Sequence, residues 1–306
     1  MERDSTPNAS AFGAAQRGFA GYARAHVLKL WQAVLGVVIG FVGGQLSGGI
    51  ALVVALGATL AAGAAFDPRR MRPLLDGLAE DPLGDPALFI PMLAATGVVQ
   101  TVLALLVPVF ARVPVRASLG LDRAPLVATL LAPLGALGLG PVSDLLATAF
   151  RDVLPSVSLG NLEAITGMAK QAPFALMFVL MAVLPGVSEE LLFRGVLQRA
   201  IRRAPVAIGV SAILFACAHL DPPHVVAVVP MGVYLAWVAW RSDSTWPTIV
   251  AHIVNNGIAV AASRVESLQV GAGTDAPMPL WWAPVGLAVT AVCVAAIAIF
   301  SPHRAR

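Results

Sequence analysis

Long uncharged, mostly apolar stretches alternate with short polar segments along this chain. The uncharged runs cover 30–66, 86–111, 124–143, 171–188, 204–220, 222–240, 244–263 and 276–302. A helix needs about 20 apolar residues to cross a hydrocarbon core about 30 Å thick. Seven of the runs predict one crossing each. The first is long enough for two, with the polar, glycine-rich Gly43-Gly44-Gln45-Leu46-Ser47-Gly48-Gly49 as the tip of a helical hairpin. Helices around a soluble core would carry polar residues on one face at helical period, and these runs carry almost none. The pattern predicts an all-α, polytopic membrane protein, a bundle of about 8–9 transmembrane helices. Residues 1–26 are polar to mixed, with Arg3, Arg17 and Arg24, and predict a tail with no signal-peptide core ahead of a membrane domain over 27–302.

Composition supports the same reading. Apolar residues make up 58% of the chain and charged ones 12%, against roughly 45–50% and 25% in soluble domains. The net charge of +3 is modest and no basic run concentrates it, so nothing points to nucleic acid. Cys217 and Cys293 lie in different apolar runs with no nearby thiol and are expected as small buried hydrophobes.

Arginine placement predicts which segments share a side. Arg112, Arg116 and Arg123, then Arg194, Arg199, Arg202 and Arg203, then Arg241, then Arg304 and Arg306 fall between alternate crossings from 86 onward. They are expected in the cytoplasm, with 144–170 and 264–275 on the other side. The polar segment 144–170 reads as a short amphipathic helix on the membrane surface. Segment 67–85 mixes Arg69, Arg70 and Arg72 with five acids and leaves the side of the N-terminus open.

Ionisable residues inside or at the edge of a span are costly and usually face the bundle interior. Here they gather between 189 and 256. Glu189-Glu190 directly follow the apolar run Phe174–Ser188, and Glu190 shares a helix face with Arg194 in the favoured i,i+4 order for an ion pair. Glu189 lies about 100° round the helix and need not share that arginine. His219 closes the next run, four residues after Phe215. His252 and Asn256 share a face of the run 244–263. Pro185, four residues before Glu189, predicts either a kink or the end of that helix. Asp221-Pro222-Pro223-His224 marks a break between helices, with His224 expected at the membrane interface or as an accessory group.

Two Glu, two His and an Asn on neighbouring helices can converge on one buried polar catalytic cavity. That inventory suits water activation by a carboxylate, with imidazole and carboxamide groups orienting the water or an oxyanion. It equally suits a divalent metal such as Zn²⁺ held by Glu189, His219 and His252. Spacing alone does not separate the two. No HExxH, GxSxG or pair of aspartates on adjacent spans offers another protease chemistry.

Glu189-Glu190-x-x-x-Arg194, Phe215-x-x-x-His219 and His252-x-x-x-Asn256 resemble, in order, the EExxxR, FxxxH and HxxxN motifs of the CPBP (CAAX protease and bacteriocin-processing, or Abi) family of intramembrane proteases. Glu189–Gln198, reading EELLFRGVLQ, looks like the family too. The likeness covers about 170–260. It implies that Glu189 activates the attacking water and that His219 helps hold the water or the substrate carbonyl. It further implies that His252 and Asn256 complete the water site and the oxyanion side, that Glu190 and Arg194 brace the helix, and that Phe215 packs nearby. The family has been described both as metalloproteases and as metal-free glutamate peptidases. The metal-free form is favoured here, because Glu189 with His219, His252 and Asn256 can activate water unaided. The expected substrate is a membrane-associated peptide or protein, in the plasma membrane of a bacterium. A proton-coupled transporter is the first rival reading, although no internal repeat of the transporter kind is present. A non-catalytic scaffold or immunity protein is the second.

Overall fold

The computed structural model describes residues 28–66, 85–154, 172–265 and 278–301, with single positions between them. The expected tail over 1–26 and most of 67–85 and 264–275 lie outside the described residues. Most of the described residues are helical, and there is no strand among them. In order the helices are α1 (Leu30–Phe66), α2 (Pro86–Phe110), the single turn α3 (Val115–Ser118), α4 (Leu126–Val153), α5 (Phe174–Gln198), α6 (Ala204–Cys217), α7 (Pro222–Ser242), α8 (Trp246–Ala262) and α9 (Trp282–Phe300). Proline stands in the first turn of α2, α6, α7 and α8. There its fixed φ suits the helix and its missing N–H has no partner to lose.

Among the described residues six helices are long and apolar enough to cross a membrane: α1 over Leu30–Ala62, α2, α4, α5, α7 and α9. The helix α8 has 17 residues and α6 only 14. At 1.5 Å per residue α6 rises about 21 Å, short of a full crossing. Large apolar side chains cover the outside of the bundle, such as Val53 (68% exposed), Leu126 (70%) and Val292 (69%). In water such a surface would drive aggregation, whereas lipid solvates it. The chain is an integral, multi-pass membrane protein.

Two expectations for the first half are corrected. Residues 30–66 form one continuous helix with no hairpin at Gly43–Gly49. The glycines serve close packing instead. Gly36, Gly44 and Gly48 face α2, where an added Cβ would press on Val107, Gln100 and Thr96 respectively. The descending partner numbers show that α1 and α2 run antiparallel, and Ser47 Oγ donates to the Ala95 carbonyl at 3.1 Å across the seam. A glycine in every fourth position lets two backbones approach where lipid gives no hydrophobic drive for helices to associate. Residues 144–153, read as part of a surface helix, instead continue α4 to Val153. Most of 155–171 lies outside the described residues.

The arginine-bearing segments do share one end of the bundle. Arg199 pairs with Asp243 at 3.0 Å, and Arg241 donates to the carbonyls of Ala298 and Ser301 that α9 leaves open. The chain around α3 is tied to the α7–α8 turn by Thr245 Oγ1 to the Leu119 carbonyl (2.6 Å) and Trp246 Nε1 to the Leu121 carbonyl (3.1 Å). Cys293 is buried as expected, but Cys217 lies on the outer surface. It sits at the last position of α6, where the helix presents that side outward.

The helix α5 holds the centre. Half of its apolar window is buried, against 22% for α1, α2 and α9, and it touches α1, α2, α6, α7 and α8. On the other side α4 packs against α7, α8 and α9. At the α4–α9 crossing Gly138 and Gly286 meet so closely that a Cβ on Gly286 would collide with the Gly138 carbonyl. Backbone cannot yield as a flexible side chain does. Gly286→Ala is therefore expected to separate α4 from α9 and to destabilise the protein by about 1–3 kcal/mol, read as a lower thermal midpoint in detergent. The open position Gly140, where an added Cβ meets nothing, serves as control, and Gly140→Ala is expected to hold or raise that midpoint, since alanine favours a helix interior.

Candidate active site

The ionisable residues singled out between 189 and 256 lie on α5, on the helices that surround it or, in the case of His219, just past the end of α6. Glu190 lies eight residues before the end of α5, roughly 12 Å along the axis, and His252 is the seventh residue of α8, six residues or roughly 9 Å past its start. Both therefore sit well inside the bundle. The segment Glu189–Gln198 does not follow the span as a solvated helix end. It is the inner half of the span itself, with all of Leu191–Gln198 buried.

Glu190 carries the densest set of contacts. Its Oε1 accepts from Arg194 Nη1 at 2.9 Å and from His252 Nδ1 at 3.0 Å. Arg194 Nη2 donates to the Gly232 carbonyl of α7 at 3.1 Å, and its guanidinium lies 4.2 Å from the centre of the Phe215 ring on α6. Both charged side chains are fully buried. The charges are matched, and the pair is supported by His252 and the Gly232 carbonyl, although Glu190 Oε2 and Arg194 Nε meet no hydrogen-bond partner among the described residues. One interaction set thus links α5, α6, α7 and α8. The close approach of α5 and α8 makes it possible. Gly186 packs on the Ile253 backbone and Gly257 on the Phe178 ring, each with too little room for a Cβ.

Glu189 is different. Its Oε2 is buried and meets no donor among the described residues, although His252, Arg194 and His224 lie within electrostatic reach. The Oε2 of Glu190 is likewise buried without a donor, so the difference between the two adjacent carboxylates lies in Oε1 of Glu190, which is committed to Arg194 and His252.

The two histidines are oriented by their Nδ1 atoms. His219 Nδ1 lies 3.0 Å from the Phe215 carbonyl. A carbonyl only accepts, so this nitrogen carries the hydrogen and the neutral ring keeps a bare Nε2. His252 Nδ1 likewise donates to the Glu190 carboxylate. Phe215 sits between the rings, edge-on to His219 (centroids 5.1 Å apart) and to His252 (5.6 Å), and also edge-on to Phe193 (5.8 Å).

Asn256 takes its place from an irregularity in α5. The helix neither ends nor breaks at Pro185. It widens to π form over Val179–Val183 and again over Leu191–Gln198, on either side of Leu184–Glu190. Such π turns recur at functional sites. Pro185 has no N–H to offer the Met181 carbonyl four residues back, and Asn256 Nδ2 donates to that carbonyl at 3.2 Å. Asn255 Nδ2 donates to Asn256 Oδ1 at 3.3 Å.

The structure thus links Glu190, Arg194, Phe215, His219 and His252 through direct contacts, with Glu189 beside them and Asn256 one turn along α8. Glu189, His219 and His252, the potential metal ligands, do not form a ligand set. Among the described residues no three His, Cys, Asp or Glu side chains converge so as to hold a metal ion. His224, expected as an interfacial or accessory residue, has its ring centre 4.6 Å from that of His219. Its sequence signal was the pair of prolines before it. They start α7 at once and bring its first turn under the end of α6.

Fold and site together define a polytopic helical membrane protein with a glutamate–histidine centre inside the bundle. Residues 171–258 match the family model described as Rce1-like, type II CAAX prenyl endopeptidase. Over this segment the chain is similar to the CPBP/CAAX protease family, whose members are intramembrane endopeptidases. No curated protein and no solved structure matches the chain.

Two substitutions test the geometry. Arg194→Ala strands a fully buried carboxylate and is expected to cost about 3–5 kcal/mol. Arg194→Lys should recover only part, because a single ammonium cannot match the guanidinium fork that spans Glu190 and Gly232. Thermal midpoints in detergent give the order wild type, Lys, Ala. The second test is a double-mutant cycle. Asn256→Leu is expected to destabilise by about 1–2 kcal/mol in the wild-type background. In Pro185→Ala the effect should be smaller, because residue 185 then supplies the N–H that Met181 lacks. Equal effects in both backgrounds would refute the link.

Proposed function

We propose that this protein hydrolyses a peptide bond of a membrane-associated peptide or protein, in the plasma membrane of a bacterium, by means of water activated by Glu189 without a metal ion. The reading rests on the asymmetry of the two carboxylates. The Oε2 atoms of both are buried without a donor among the described residues, but only Glu190 is also tied down through Oε1, by Arg194 and His252.

In this mechanism Glu189 accepts a proton from water as the water oxygen attacks the peptide carbonyl carbon. His219 holds the water through Nε2, which its bond to the Phe215 carbonyl leaves bare. The carbonyl oxygen gains the negative charge. The Nδ2 hydrogen of Asn256 not used on Met181 stabilises that charge, while His252, whose Nδ1 hydrogen is on Glu190, completes the water site through its bare Nε2. As the tetrahedral intermediate collapses, the C–N bond breaks and the protonated Glu189 returns its proton to the leaving amine. The products are a carboxylic acid and an amine. Glu190 and Arg194 take no part in the proton transfers and keep His252 in position, and Phe215 packs the two histidines.

Purified protein in liposomes, supplied with a fluorogenic peptide library, tests this mechanism. Wild type is expected to cleave, and Glu189→Gln, which keeps shape but not basicity, should lose at least about 10²-fold in kcat. His252→Ala should lose activity as well. A strong chelator should change nothing. Cleavage that survives Glu189→Gln would refute the assignment of the base. Cleavage abolished by chelator and restored by a divalent ion would establish metal-dependent chemistry in its place.

A further inference from the structure

His219 is weakly held for a residue with such a task. The helix α6 ends at Cys217, so His219 lies beyond its last regular turn, where a hydrogen bond to the Phe215 carbonyl, the nearby Ala216 backbone and the edge of the Phe215 ring orient it. A ring at a helix end can swing about that bond. The residues between α6 and α7 oppose such motion. Leu220 adopts a left-handed conformation (φ 63°), in which a Cβ crowds the following carbonyl oxygen. Its apolar side chain is 61% exposed, so packing of Leu220 does not offset that strain. The reversal it makes is tight, with Asp221 N–H donating to the His219 carbonyl at 2.7 Å. Asp221 is buried to 1% exposure at the N-cap of α7, and Pro222 and Pro223 fix the direction of the first turn. The next residue is His224, whose ring stands edge-on to His219, with centroids 4.6 Å apart and planes inclined at 66°. Strained backbone persists where its surroundings over-determine it, and it collects at functional sites.

We infer that His224 is a positioning residue of this centre: its ring holds the His219 imidazole in the orientation that keeps Nδ1 on the Phe215 carbonyl and leaves Nε2 for water. The inference rests on the hydrolytic reading for its effect on turnover, but not for its effect on the His219 ring. His224 acts here by shape. A ring of similar size replaces it, and a side chain without a ring does not.

Two readouts test this. In kinetics, His224→Ala is expected to lower kcat about tenfold with KM unchanged, and His224→Phe to restore kcat to within about twofold of wild type. In nitrogen-15 NMR of histidine-labelled protein, wild-type His219 should show the single tautomer protonated at Nδ1. The Ala variant should show averaged nitrogen shifts at His219 with the His252 signals unmoved, and the Phe variant should restore the wild-type pattern. Should Ala lower the thermal midpoint, His224→Leu, which fills the space without a ring, takes its place with the same expected losses. Unchanged kcat and unchanged His219 signals in the ringless variants would overturn the inference. So would a Phe variant as impaired as Ala, since the nitrogen atoms of His224 would then be what matters. If wild type cleaves nothing, the hydrolytic reading fails, while the NMR comparison still decides whether His224 holds His219.

Discussion

A negative charge buried in a membrane-spanning helix has to be answered where it lies, and the Glu190 carboxylate is answered twice through one oxygen atom. Arg194 neutralises it from one turn further along α5, and His252 reaches it from α8. The guanidinium has further hydrogens and a flat face to place. They fall on the Gly232 carbonyl and the Phe215 ring, so α6 and α7 are drawn to the same point. Four helices take their mutual positions from one ion pair. Without it there would be little reason for an apolar helix to keep a charged pair at that depth, since burial of charge is offset only by close pairing.

The same commitment gives the neighbouring glutamate its freedom. Two carboxylates in sequence point about 100° apart on a helix, so the brace can occupy one and leave the other facing the histidines. Each imidazole is fixed through its Nδ1, one by a backbone carbonyl and one by the brace itself. Phe215 packs edge-on against both rings, and His224 against that of His219.

Much of this was legible in the chain. Spacings of four residues between Glu190 and Arg194, Phe215 and His219, and His252 and Asn256 already put each pair on one helix face. The alternation of arginine-bearing segments foretold which ends meet. Other features depend on partners far away in sequence. The glycines of α1 read as a turn because hydropathy does not say what lies opposite, and only α2 shows that they form a seam. The helix α4 runs on through Asp144 and Arg151, both of which have partners in the folded chain that the linear pattern does not reveal. The partner of Asn256 could not be anticipated either. It is a carbonyl that becomes available through a proline on another helix. His224 lacked a motif, and its role emerges only once the strained residue before α7 is seen.

The length of α1 has a consequence of its own. A helix of 37 residues is a rod about 55 Å long, while the hydrocarbon slab is about 30 Å thick. Such a rod must lean or emerge, and the amount is set by the lipid around it. Its Gly40 rests on Leu192 of α5, two residues beyond Glu190. Bilayer thickness therefore bears mechanically on the helix that carries both glutamates, so that lipid composition belongs among the variables that govern this protein, alongside the identity of its substrate.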